Sequence, residues 1–487
     1  MIKIKTKSFL FRVFLPLTFS LQPSLAADNL DGTSRSPNVL FIAIDDMNDW
    51  TTLFDKANPI KTPNLERLAE RGTFFARGYC NSPACNPSRA SVLSGVRPST
   101  SGVYNNSSNW NKALPEVTIL PQHFKNQGYQ TYASGKIFHH HGTAFFRYEA
   151  FDEYLEFPTK QPDRPMPMDG NLNGIQQWTR PDGRKGKISL NFDWGVYPPD
   201  ETFHIDNRTV DWAIDKIENT EAPFFIATGI FRPHMPFYAP QDWYDRYSMK
   251  DLVMPDLKED DLADLPAAAK QMLTSRSFIS TFRAEKARDA KIFDKAVRGY
   301  QAASSFADHN VGRLLDALDS SGKADTTVIV LWSDHGFHVG EKEHWEKFVL
   351  YEKATHIPYI IVAPGFNKGQ VSYRPVTLVD LYPTLVELCG LPAPDHLEGE
   401  SLVPLLKNPK AKKDPAIITY GQDNHAIRDD RYRYIRYADG GEELYDTEND
   451  PHEWNNLAQR TGSRKIMNEL AKWLPDQNAT PIESAKR

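Results

Sequence analysis

The chain has 487 residues, of which 40% are hydrophobic and 25% charged, with a formal net charge of −6. That length is too great for one small core and suits a large domain with a smaller one beside it, in an ordinary soluble globular composition. The acidic balance argues against nucleic-acid binding, which needs a basic face, and leaves functional cations to be concentrated in a pocket.

In chain order, residues 1–26 read as a signal peptide. Lys3, Lys5 and Lys7 form a basic start, Phe9 to Leu21 is mostly apolar, and Ser24-Leu25-Ala26 offers small residues for cleavage. The apolar stretch is too short for a membrane span and Arg12 interrupts it. An anchor retained at the membrane interface is the alternative. Its removal takes away Lys3, Lys5, Lys7, Arg12 and no acid, leaving a net charge of −10. No second candidate span follows, so the chain is expected to be exported, periplasmic or secreted, without stable membrane insertion.

From residue 37 to about 400, strand-like and helix-like segments alternate. Pro37-Asn38-Val39-Leu40-Phe41-Ile42-Ala43-Ile44 is a continuous run that stops at Asp45-Asp46. Such a run predicts a central strand buried on both faces. Thr62 to Gly72 has a cap residue, an early proline and a terminal glycine, which predicts a helix. Strands are also predicted over 224–230, 327–332 and 358–362, and helices over 205–218, 296–319 and 377–389. The interleaving predicts a large, mostly parallel α/β sheet flanked by helices, with ligands bound beyond the carboxyl ends of its strands. Asp45-Asp46 and Asp334-His335 stand at two such ends, so they are expected together in space.

Residues 157–200, rich in Pro, Gly and charge, read as an irregular insertion at a substrate rim, and 250–295 as a polar, helix-rich insertion. After about residue 410 the stretches Ile417–Tyr420, Tyr432–Tyr437 and Glu443–Asp446 predict a small antiparallel subdomain, closed by a helix near 463–473. The expected division is a signal peptide at 1–26, a catalytic domain at 27–410 and a C-terminal subdomain at 411–487. Three cysteines are few for an exported chain. Sequence leaves open whether Cys80 and Cys389 pair, although their apolar contexts suit free buried thiols.

Adjacent carboxylates such as Asp45 and Asp46 stay ionised most easily around a cation. With Asp334 and His335 they form an oxygen-rich set that suits Ca²⁺, or less well Mg²⁺, rather than Zn²⁺. Taken alone, Asp45 and Asp46 read equally well as cap or turn residues. Arg89 follows Cys85 by four, so on a helix the two share a face.

The run Cys85-Asn86-Pro87-Ser88-Arg89, followed by a short helix ending at Gly95, resembles the signature of type I sulfatases. The resemblance implies that a maturation enzyme oxidises Cys85 to formylglycine, an aldehyde that hydrates to a geminal diol. One diol oxygen would attack sulfur and the second would expel sulfate, which a serine could not do. It also implies an alkaline-phosphatase-like sandwich fold with a small C-terminal antiparallel sheet. Arg89 would hold the formylglycine hydroxyl. Gly135-Lys136-Ile137-Phe138-His139 is similar to a family segment that places Lys136 on a sulfate oxygen and lets His139 orient the formylglycine, with His140 and His141 at the rim. Arg232-Pro233-His234-Met235-Pro236-Phe237 is similar to another, which makes His234 the general acid for the leaving oxygen. Lys347 matches a lysine that contacts both sulfate and leaving oxygen, although its flanking residues depart from the usual pattern and a solvated lysine stays open. Asp45, Asp46, Cys85, Asp334 and His335 would hold the cation, which would polarise the sulfate ester. Histidine at 335, where many sulfatases carry Asn or Gln, looks like the iduronate-2-sulfatase branch.

The implied protein is therefore a sulfuric ester hydrolase acting on sulfated carbohydrate, such as glycosaminoglycan or ulvan fragments. Its partners are the substrate and a formylglycine-generating enzyme, with no nucleic acid. A choline or aryl sulfatase, a phosphate or phosphonate ester hydrolase of the same superfamily, and an inactive carbohydrate-binding relative are the alternatives.

Overall fold

The structure is a computed structural model and describes residues 36–139, 147–156, 172–173, 177–179, 185–187, 192–221, 223–274 and 290–484. The expected signal peptide, His140, His141 and most of the 157–200 stretch lie outside these residues.

Every residue of β1 (Asn38–Asp45) is buried. Its apolar side chains bury surface on both faces, each contributing about 1.5–3 kcal/mol relative to exposure. The chain continues through α1 (Pro63–Arg71), β2 (Thr73–Phe75), α2 (Cys85–Ser94), β3 (Gln130–Gly135), β4 (Glu153–Glu156), α3 (Ile205–Asn219) and β5 (Phe224–Pro233). Next come α4 (Ala290–Ser320), β6 (Thr327–Ser333), β7 (Tyr359–Val362), β8 (Gln370–Ser372) and α5 (Leu381–Leu388). Together the strands make one eight-stranded sheet in the order β8-β2-β7-β6-β1-β5-β3-β4. β1 is parallel to both neighbours, pairing Ile44 with Ser333 on one side and Ile230 on the other. Only β7 runs against its neighbours β6 and β2.

Side chains alternate across β1 between two cores. Val39, Phe41 and Ala43 face one with α2 and α5, while Leu40, Ile42 and Ile44 face the other with α1, α3 and α4. The sheet is thus covered on both faces, an alkaline-phosphatase-like sandwich. A four-stranded antiparallel sheet follows: β9 (Ala416–Thr419), β10 (His425–Arg428), β11 (Tyr432–Arg436) and β12 (Glu442–Asp446), with α6 (Ser463–Leu470) against it.

Some boundaries differ from those expected. β5 runs three residues past 230, carrying the chain to His234 through an irregularity opposite Asp45. The helix expected over 296–319 starts at Ala290, inside the stretch read as an insertion; that stretch also holds a helix at Ala267–Thr274. Of the 157–200 segment, Trp194–Val196 forms a short parallel bridge to Phe237–Ala239. β2, β3, β4, β8 and β10 had no matching expectation. The three cysteines are free and buried.

Candidate functional site

The carboxyl ends of β1 and β6 meet, and the site is built on that junction. β1 delivers Asp45, after which the backbone turns sharply at Asp46 with φ 68°. A left-handed conformation is uncommon for a non-glycine residue and needs support. Tyr300, in the middle of α4, supplies it by donating to the Asp46 carbonyl at 2.9 Å and accepting from the Asn48 amide at 3.0 Å. β6 delivers Asp334 and His335, and Asp334 accepts from the Asp46 amide at 3.2 Å, which ties the two strand ends together.

Cys85 is the first residue of α2, completely buried, and Gly95 ends that helix in the left-handed region at φ 72°. Arg89 lies one turn on. Its Nε donates to Asp334 Oδ2 at 2.9 Å, its guanidinium reaches Asp45 Oδ1 at 3.3 Å, and it also donates to the Lys136 carbonyl. Ser88 Oγ donates to the Asp334 carbonyl at 2.5 Å.

Lys136 arrives from the end of β3. Two glycines let it come close: a Cβ on Gly229 would lie 2.2 Å from the Lys136 carbonyl carbon, and one on Gly135 would lie 2.2 Å from the Gly229 oxygen. The Lys136 ammonium pairs with Asp45 Oδ2 and lies 3.7 Å from Cys85 Sγ. Lys347 sits on both oxygens of Asp46 at 2.8 Å, and the His344 ring lies 2.8 Å from the Lys347 carbonyl. His335 Nε2 is 3.2 Å from Cys85 Sγ, while its Nδ1 lies 3.0 Å from the Gly336 carbonyl. With Nδ1 donating to that carbonyl, Nε2 is the ring atom that faces Cys85. Half-buried His139 also hydrogen-bonds Cys85. His234 stacks on Phe231 at 4.6 Å, with Nδ1 2.6 Å from the Met235 carbonyl.

The ten residues singled out from sequence therefore converge. Donor atoms of Asp45, Cys85, Asp334 and His335 lie within 4.8 Å of one another, and so do those of Asp46, Cys85 and His234. Sequence reasoning passed over Tyr300, Ser333 and the Asp49–Lys353–His356 group behind the site. Ser333 Oγ accepts from the Met47 amide at 3.0 Å and donates to the His335 carbonyl at 2.9 Å. Ser333 immediately precedes Asp334-His335 and was findable there; Tyr300 carries no local signal in a helix of 31 residues.

Electrostatics follow from burying three carboxylates with three fixed cations. Burial alone would raise the Cys85 thiol, but Lys136, Lys347 and His335 overcome it and hold the group well below the usual thiol range. Burial also opposes ionisation of Asp45, yet Lys136 and Arg89 keep it well below the carboxylate norm. Asp334 is pushed up to about 7 by burial against the pull of Arg89. His335 resists burial and rises to about 9 because Asp334 and Cys85 lie beside it. His234 is lowered by burial first and by Lys347 and Lys136 after it. The pocket is a cationic clamp around one nucleophilic position, resting on a floor of carboxylates.

The family model described as Sulfatase matches residues 37–391, and one described as N-sulphoglucosamine sulphohydrolase, C-terminal, matches 340–480. The chain belongs to the sulfatase family. This sulfatase is 38% identical over 460 residues to a protein named Sulfatase from Formosa agariphila, covering 91% of this chain and 87% of that one. It is 29% identical to Iduronate 2-sulfatase from Homo sapiens, over 75% of this chain and 71% of that one. A solved structure described as BT4656 in complex with its substrate D-glucosamine-2-N,6-O-disulfate superposes with TM-score 0.69 at 22% identity, covering 90% of this chain and 97% of that one. That likeness is one of fold. Family and site together make the protein a sulfuric ester hydrolase of the type I superfamily.

Proposed function

We propose that this sulfatase removes sulfate from sugars of a sulfated polysaccharide or oligosaccharide, with Cys85 matured to formylglycine by a dedicated enzyme before export. The observation that carries the reading is the surround of Cys85 Sγ: Lys136 Nζ at 3.7 Å, His335 Nε2 at 3.2 Å, and carboxylates on two strand ends behind them. Sγ marks where the formylglycine oxygens would stand. That group would supply a nucleophile with a second hydroxyl for releasing sulfate.

The donor set fits a hard divalent cation: the buried carboxylates of Asp45 and Asp334 converge with the His335 ring at Cys85, the Asp46 carboxylate lies 3.4 Å from that ring, and a cation bound there would displace the His335 proton. Asp45, Asp46, Asp334 and His335 would hold Ca²⁺, which would supply Lewis-acid polarisation of a sulfate oxygen. The residues of the chain do the rest. Lys136 and Lys347 bring two ammonium groups to an anionic, charge-building ester, the kind of preorganised stabilisation that usually dominates a rate. Arg89 orients the helix start through Asp334 and Asp45. His139 orients the group at position 85. His234 faces the same space, and a bound sulfate would offset Lys347 and Lys136, letting its ring carry the proton the leaving sugar oxygen needs.

Two features support an iduronate-2-sulfatase-like substrate, a sulfated uronic-acid unit: His335 in the run Ser333-Asp334-His335-Gly336, and the likeness to the human enzyme of that name. Sulfate release from defined sulfated oligosaccharides, assayed beside phosphate esters of the same alcohols, tests this. The reading expects turnover of sulfated sugars, uronates included, and faster release of sulfate than phosphate. Phosphate release that outpaces sulfate would contradict it.

A further inference from the structure

We propose a second polyanion-binding surface, distinct from the catalytic pocket, at the β8 edge of the large sheet. Two acid-free segments meet there, residues 364–374 with Lys368 and Arg374, and residues 401–413 with Lys407, Lys410, Lys412 and Lys413. Hydrogen bonds join them: Gln370 Nε2 to the Leu406 carbonyl at 3.0 Å, Ser372 Oγ to the Pro409 carbonyl at 2.9 Å, and Arg374 to the Lys410 carbonyl at 3.2 Å.

Two of these cations are neutralised, Arg374 by Asp430 and Lys413 by Glu400 and Asp380. Lys368, Lys407, Lys410 and Lys412 are exposed and have no ion-pair partner among the described residues. Glu70, whose carbonyl lies near Gly369, and Asp414 border the patch. In a chain of net charge −6 this concentration of unpaired lysine is a local reversal of sign.

Tyr373, 63% exposed, follows β8 at one end of the patch beside Arg374, with Arg77 6.0 Å from its ring centroid and Val371 exposed two residues before it. An exposed ring flanked by cations matches a sulfated sugar chain: the C–H face of a sugar packs on the ring while sulfates meet the lysines. β8 is parallel to β2 and, through antiparallel β7 and β6, points the same way as β1. Tyr373 therefore leaves the sheet at the end that carries Asp45. Four strand spacings separate β8 from β1, about 19 Å at about 4.8 Å each, a span that an extended oligosaccharide covers. The surface would hold a polymer while its terminal or neighbouring sulfate occupies the pocket. This inference rests on the sulfated-polysaccharide reading above.

The test uses Cys85→Ser protein, so that ligand is not consumed, and dextran sulfate as probe over a salt series. Lys368→Gln, Lys407→Gln, Lys410→Gln and Lys412→Gln combined should weaken binding about tenfold at low salt and flatten the slope of log K against log salt by about three. Tyr373→Ala should weaken binding without changing that slope. In the Cys85 background restored, the same variants should keep turnover of a small sulfate ester and lose it selectively on polymer. Unchanged dextran sulfate affinity in the fourfold variant overturns the proposal. So does self-association of that variant with unchanged affinity, which would make the lysines guards of a sheet edge. A loss seen only on anionic phosphatidylglycerol vesicles overturns it too. Absence of small-ester turnover in the parent enzyme would instead defeat the sulfatase reading and leave the binding result standing.

Discussion

Lys347 shows how one side chain is made to work. Its stem is buried, its ammonium sits on both oxygens of Asp46, and its charge is reinforced by Asp46, Cys85 and Asp45 against the cost of burial. Lys347→Ala should lower kcat by about 10²–10³, the size of losing one preorganised donor to developing charge, with folding checked by thermal denaturation. His234 makes a sharper distinction. If it protonates the leaving oxygen, His234→Ala should slow sugar sulfates, whose alkoxides leave poorly, about 10²–10⁴-fold, and aryl sulfates far less. Equal losses on both would remove that role. Cys85 and Lys136 were legible because each stands in a short run that resembles a sulfatase segment, Arg89 because it follows Cys85 by four, and Asp45-Asp46 and Asp334-His335 because each closes a predicted strand. Tyr300 was not, since a tyrosine inside an amphipathic helix looks the same whether it fills a core or props up Asp46.

At the scale of elements, the site depends on close approaches between strands and on a brace from the C-terminal sheet. Gly229→Ala would place a methyl 2.2 Å from the Lys136 backbone. Overpacking of this kind costs about 1–3 kcal/mol, and here it would also displace Lys136, so kcat should fall more than stability alone explains. The brace is Arg433 of β11, completely buried, which donates to the Leu350 carbonyl at 2.9 Å and pairs with Glu352 and Glu453. It anchors the segment that carries Lys347. Arg433→Met would strand two buried carboxylates and should cost about 3–5 kcal/mol in urea unfolding. Burial pushes Glu352 up, but Arg433 and Arg428 win and hold it near about 2, below its ordinary 4.5. A depressed acid stabilises the fold fully above its unfolded value. Its contribution is therefore complete above pH 4.5 and is lost as pH falls toward 2. The Arg433→Met variant, with Arg428 still 3.7 Å from Glu352, should show a smaller acid-side loss.

Over the whole molecule, the parallel architecture and the meeting of β1 with β6 were readable because both strands are unbroken apolar runs ending in acidic residues. β3 was missed, since Gln130-Thr131-Tyr132-Ala133-Ser134-Gly135 has little apolar signal and is a strand through its pairing with β5. β4 and β10 are no shorter than β7 and β9, but Glu153-Tyr154-Leu155-Glu156 and His425-Ala426-Ile427-Arg428 have polar or charged ends and lack the Ile-Ile run that marks the other two. The convergence of three carboxylates with three cations is a tertiary fact that spacing implied only through strand ends. Because the proposed Ca²⁺ would bind the folded site alone, chelation should lower Tm and calcium should restore it, by an amount that grows with the logarithm of free calcium. A Tm and activity indifferent to chelation would argue against a resident cation.

The most direct measurement is the mass of the proteolytic peptide that contains residue 85, taken from active enzyme made in cells that mature sulfatases. Replacement of the thiol by an aldehyde predicts a peptide lighter by about 18 Da, or one near its unmodified mass but lacking a thiol when hydrated. An active preparation whose Cys85 still alkylates stoichiometrically as a thiol would contradict the account.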